Sequence, residues 1–175
     1  MDQSVIPECY VDTNLIETLV APQKQYNHQK GCGTVTKVMK ERFADRFALG
    51  IIDRDKTEVD YLKEFTEICS SGSLILHKHP PKHHYIIQIN PAVERFILAN
   101  AAVAGVELTD FGLPSDFELL RRVCKKTTSK NDQRFKHLFR CLLQNGAPDM
   151  RKLLLWVSYL RDNDYHADVA VLRNM

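Results

Sequence analysis

No Cys-x-x-Cys pair occurs among the five cysteines, Cys9, Cys32, Cys69, Cys124 and Cys141. That excludes a zinc ribbon and a thioredoxin-type redox motif. No apolar run approaches the roughly 18 residues of a membrane span, and no linker, internal repeat or low-complexity tract interrupts the chain. The opening Met1-Asp2-Gln3-Ser4 lacks the basic-then-apolar pattern of a secretory signal, so a cytoplasmic protein with reduced cysteines is expected. Four of the histidines, His77, His79, His83 and His84, gather around Pro80-Pro81. They lack both cysteine companions and the His-Glu-x-x-His spacing of a zinc helix, and read as exposed turn and strand-edge residues.

What is present is ordinary globular material. An apolar fraction of 44% against 26% charged residues argues for one folded core rather than disorder. The first half alternates short apolar runs with amphipathic stretches. Strands are expected at Glu8–Asp12, Tyr26–Lys30, Phe47–Asp53, Leu74–His77 and Tyr85–Ile89, with helices over Asn14–Val20, Thr34–Phe43 and Glu58–Cys69. From Pro91, set at a first helical position behind an Asn90 cap, the chain reads as helical: Ala92–Ala104, Ser115–Lys125, Lys130–Gln144 and Pro148–Arg161. This pattern predicts an α/β fold with an open, mostly parallel sheet and helices on both faces. It places an α/β region at residues 1–105 and a helical C-terminal extension, packed on the same domain, at 106–175.

Chemistry is expected where apolar runs stop at acids. Phe47–Asp53 is almost continuously apolar, as a central parallel strand is, and ends in Asp53-Arg54-Asp55. Carboxylates two apart on an extended backbone face the same way, at the strand edge where open α/β sheets bind ligands. The run Cys9-Tyr10-Val11-Asp12 ends alike. With those two strands adjacent, Asp12 and Asp53 share one edge and Glu17 stands a helical turn beyond. Clustered carboxylates repel, and a hard cation such as Mg²⁺ or Mn²⁺ relieves the repulsion. The competing reading is that Asp53-Arg54-Asp55-Lys56 is a turn that caps a helix.

A strand-terminal acid, a glycine-containing connection into a helix and a hydrophobic strand ending in Asp-x-Asp resemble a Toprim domain. The nearest form is that of the overcoming-lysogenisation-defect-type nucleases. The resemblance covers roughly residues 8–98. It implies a compact α/β fold, Mg²⁺-dependent cleavage or transfer of nucleic-acid strands, and Asp12, Asp53 and Asp55 as the catalytic, metal-holding acids. Asp12 and Thr13 would stand where the family carries a Glu-Gly pair. Val11-Asp12-Thr13-Asn14 is also similar to the opening of PIN-domain ribonucleases, which would put a metal at the same acids.

Charge is uneven. Eleven basic residues lie between Arg121 and Arg161, opposed there only by Asp132 and Asp149. A nucleic-acid-binding surface using Lys125, Lys126, Lys130, Arg134 and Lys56 is expected, against the alternative of a solvated helical face. Leu153, Trp156, Tyr159 and Leu160 recur at helical spacing, as core or as a homodimer or protein-partner surface. Three functions remain open at this point. They are a Mg²⁺-dependent nuclease-like phosphodiesterase, a non-catalytic nucleic-acid- or protein-binding regulatory module, and a small-molecule phosphotransferase or phosphatase.

Overall fold

The computed structural model describes residues 2–54 and 59–175. Its elements in chain order are β1 (Val5–Pro7), α1 (Tyr10–Leu19), α2 (Cys32–Arg42), β2 (Ala48–Asp53), β3 (Thr66–Ser71), β4 (Leu74–Lys78), β5 (His84–Ile89), α3 (Val93–Ala104), α4 (Phe117–Cys124), α5 (Gln133–Gln144), α6 (Pro148–Asn163) and α7 (Val169–Asn174). Short 3-10 turns join several of them. The five strands form one sheet in the order β1-β2-β5-β4-β3. β1, β2 and β5 run parallel, and β4 and β3 extend the sheet antiparallel. The fold is α/β, but the sheet is mixed rather than mostly parallel.

The correction has a local cause. Glu58–Cys69 reads as a helix because Val59, Leu62, Phe65 and Cys69 recur at helical spacing. Among the described residues, only Asp60–Glu64 make a helical turn, of 3-10 type, and Thr66–Ser71 is an edge strand hairpinned onto β4. The polar cluster Ser70-Ser71-Gly72 does end an element, yet as a hairpin turn. Gly72 holds φ +56, and a Cβ there would lie 2.0 Å from Asp149 Oδ1. Asp149 also accepts hydrogen bonds from the backbone and hydroxyl of Ser73, which ties the hairpin to the start of α6.

Strand alternation sorts the core. Leu49 and Ile51 of β2, with Tyr85, Ile87 and Ile89 of β5, face a large cluster built with α1 and α3 through α7. Ala48, Ile52 and Ile86 face the opposite side, against Val35 and Met39 of α2. Helices therefore cover both faces, as expected, and the C-terminal helices belong to the same core as the sheet. Leu153, Trp156 and Leu160 are buried within it, and the Trp156 indole donates to the Leu172 carbonyl at 3.2 Å, so this stripe is packed by the chain itself. At Gly50 α2 crosses the sheet so closely that a Cβ would stand 2.8 Å from Met39 Sδ and 3.1 Å from Val35. Gly50→Val is expected to cost about 2–3 kcal/mol through overpacking, read as a lower urea midpoint at unchanged slope.

Candidate functional site

Three residues, Val5-Ile6-Pro7, make up β1. Pro7 is tolerated because β1 is the last assigned strand on its side of the sheet. Beyond it Tyr26–Lys30, expected as a strand, runs without regular assignment, yet Asn27 and Gln29 donate to the Val5 and Pro7 carbonyls. The acid that follows β1 directly is Glu8, not Asp12. Its Oε2 accepts from the Asp53 backbone N–H at 2.9 Å, which joins the carboxyl ends of β1 and β2.

Asp12 is correspondingly displaced. α1 begins at Tyr10, four residues before the expected start, with Cys9 as its N-cap. Cys9 Sγ accepts from Asp12 N at 3.4 Å, and Asp12 Oδ2 accepts from Cys9 N at 3.1 Å. This is a capping box with a thiol in the usual hydroxyl position. Asp12 is only 1% exposed, and its Oδ1 has no hydrogen-bond partner.

Asp53 ends β2 as expected. Its Oδ1 accepts from Val93 N at 2.9 Å, so the carboxylate caps α3 from across the sheet. Asn90 and Pro91 therefore do not start that helix in the expected way: it begins at Val93, and its N-cap, Ala92, has no capping side chain. The cap reading of Asp53 holds in part, for a helix forty residues away.

Glu8, Asp12, Asp53 and the buried Glu94 of α3 thus form one electrostatic cluster. Burial raises Asp53 most, and the charges of Asp12, Glu8 and Glu94 raise it further, up to about 10. Asp12 is raised to about 6 by burial, with Glu94 adding to the rise and the Cys9 hydrogen bonds opposing it. The two thiols nearby, Cys9 and Cys124, are pushed up by burial and by these same acids, so they stay protonated and are poor nucleophiles or zinc ligands. Oxygen donors are what this place offers.

A cleft of about 200 Å³ opens here, lined by Glu8, Asp53 and Glu94 beside His28, Lys30 and Lys125. Its basic side is held by Asn14, a buried α1 residue whose Nδ2 donates to the carbonyls of Ser129 (2.7 Å) and Asp132 (3.1 Å). The connection from Lys125 to Asp132 is thereby fixed beside the acids rather than loose in solvent. Lys130 is near enough to depress His28, whose imidazole is lowered first by burial. Lys126 is exposed on the same connection. Arg134 is committed elsewhere, forked onto Asp132 and donating to the Gly112 carbonyl.

Of the expected acids, Asp12 and Asp53 are brought together. Glu17 lies farther along α1, where its charge acts on Tyr26, and it does not line the cleft. Asp55 and Lys56 lie outside the described residues. Among the described residues no three His, Cys, Asp or Glu side chains stand in a metal-holding arrangement. The donor set nonetheless suits a hard cation, with clustered carboxylates and one buried Asp12 oxygen lacking a partner. Glu8, Glu94 and His28 were missed by sequence reasoning. Glu8 reads as the first residue of a strand, whereas Pro7 closes β1, and Glu94 reads as any polar helix position. The histidines at Pro80-Pro81, expected exposed, include the buried His79 and His84 and stand apart from this cleft. Set against known proteins, the chain matches no family model, no curated protein and no solved structure.

Proposed function

We propose that the protein is a divalent-cation-dependent phosphodiesterase acting on nucleic acid, with a Toprim-like acidic site formed by Glu8, Asp53 and Asp12. The observation that carries this reading is the juxtaposition in one cleft of mutually repelling carboxylates with Lys30 and Lys125. Acids alone suit a cation and lysines alone suit an anion, whereas the two together suit a cation bridged to a phosphate. With Glu8 directly after β1, the resemblance gains a glutamate in its first motif, and Cys9 takes the glycine position.

In this reading Glu8 and Asp53 hold the ion at the strand ends. Asp12, buried behind the cleft in the first turn of α1, adds negative charge beside Asp53. Bound Mg²⁺ or Mn²⁺ would supply neutralisation of charge on the phosphate oxygens. Lys30 and Lys125 orient the phosphate, and Lys126 and Lys130 extend the contact along the strand's backbone without reading bases.

The test is titration calorimetry with Mg²⁺ and Mn²⁺, paired with cleavage of labelled DNA and RNA in the presence and absence of EDTA. Cation binding with EDTA-sensitive cleavage is expected. Binding to nucleic acid that persists in EDTA, with no heat from either cation, would instead support a regulatory binding module. Substituting Lys125 and Lys126 together by alanine is expected to lower the slope of log affinity against log salt by about 1–2, and an unchanged slope would remove both from the interface.

A further inference from the structure

Thr13 has one hydroxyl proton, and its Oγ1 donates it to the Cys9 carbonyl at 2.8 Å. The same oxygen lies 2.9 Å from His28 Nδ1, and with the hydroxyl directed at Cys9 that contact is met by an Nδ1–H tautomer of the ring. In that arrangement Nδ1 carries the ring hydrogen and Nε2 the lone pair. Tyr10 stacks on the imidazole, with ring centroids 4.4 Å apart and planes 24° from parallel, which holds the plane of the ring. It stands in the wall of the cleft with Glu8, Asp53, Lys30 and Lys125.

We propose that His28 is the proton acceptor of this cleft, its Nε2 receiving a proton from the water that attacks a bound phosphodiester. The inference rests on the cation-and-phosphate reading above and adds to it the residue that activates water. Other groups in the cleft are less suited. Glu8 Oε2 already accepts from the Asp53 backbone, the thiols of Cys9 and Cys124 are held protonated, and a lysine ammonium offers donors only.

As the water oxygen forms its bond to phosphorus, its proton passes to Nε2. The bond from phosphorus to the leaving nucleoside oxygen breaks, its electron pair staying on that oxygen, which takes a proton from solvent. The imidazolium formed returns its proton to solvent. Thr13 is a positioning residue, acting through the ring it holds.

Nitrogen-15 NMR of histidine-labelled protein is expected to show His28 as the Nδ1–H tautomer. His28→Ala and the bulkier His28→Gln are each expected to slow cleavage by about 100-fold or more, with Mn²⁺ affinity held within about twofold, and imidazole added to the buffer should restore part of the rate of His28→Ala. Thr13→Val should shift the ring toward the Nε2–H tautomer and lower kcat with little change in KM. An Nε2–H tautomer in the native protein, or variants cleaving within about threefold of it, would overturn the assignment. A parallel tenfold loss of Mn²⁺ affinity would make His28 a ligand instead, also overturning it. Native protein that binds Mn²⁺ but cleaves nothing overturns the His28 role alone, whereas protein that binds no cation overturns the parent reading with it.

Discussion

Asp53→Asn is expected to make the cation-free protein more stable and at the same time to abolish its cation binding. Burial and three neighbouring acids raise the Asp53 carboxyl from 3.8 to about 10. The folded protein thus keeps a proton that the unfolded chain releases above about pH 4. Where the folded state binds more protons, stability falls as pH rises. For Asp53 the loss accumulates from about pH 4 toward pH 10, and for Asp12, raised to about 6, it is complete near pH 6. An asparagine has no charge to repel Asp12, Glu8 and Glu94, and its side-chain carbonyl can still accept from Val93 N. The gain should grow with pH and reach roughly 1–2 kcal/mol near neutrality, or about 2–8 °C in Tm for a chain of this size. A cation needs the charged carboxylate, so binding to the native protein should strengthen with pH and release protons, while Asp53→Asn should give no heat with Mn²⁺. Thermal melts in EDTA at pH 5, 7 and 9, with calorimetry in buffers of different ionisation enthalpy, read both effects. A lower Tm for the variant at pH 9, or unchanged Mn²⁺ affinity, would show that Asp53 is a helix cap and nothing more.

Asn14→Asp is expected to be among the most damaging single changes outside the apolar core. The Asn14 side chain is buried, its Nδ2 serves two carbonyls, and its Oδ1 accepts from Thr18. An aspartate would replace that donor by a buried acceptor facing the carbonyls of Ser129 and Asp132. Asn14→Ala removes the donor without adding charge and should cost about 1–2 kcal/mol, since the carbonyls of Ser129 and Asp132 each lose one of their donors while keeping a backbone N–H. Asn14→Asp should cost more, about 3–5 kcal/mol, from the unpaired buried carboxylate. Chemical denaturation of both variants measures the order. Hydrogen exchange should also quicken across residues 125–132 in Asn14→Ala, because that side chain holds the basic connection against α1. A variant pair with equal stability, or an unaltered exchange pattern, would mean the connection is held by its own buried Ser129, whose hydroxyl donates to Cys124 and Lys126.

Periodicity alone determined much of this protein. The apolar runs of β2 and β5, the alternation of β4, and the helical stripes of α2, α3, α5 and α6 lie within two or three residues of where their patterns put them, because burial on both faces leaves a continuous apolar run and burial on one face imposes a repeat of two or of 3.6. Asp53, ending such a run, was legible for the same reason. Elements too short or too exposed to carry a repeat were not. β1 has three residues closed by a proline, and β3 is an exposed edge strand whose approach happens to carry helical spacing. Glu8 was hidden with β1. Glu94, His28 and Asn14 are single polar residues in different stretches of chain, and nothing local marks them, whereas Lys125 belongs to the legible basic run between Arg121 and Arg161. They meet only because β1 lies beside β2, α3 begins over the end of β2, and α1 grips the connection before α5. Strand order and helix docking are settled by which apolar faces cover one another across the whole chain, and a cleft assembled from residues 8 to 125 is a consequence of that packing rather than of any one segment.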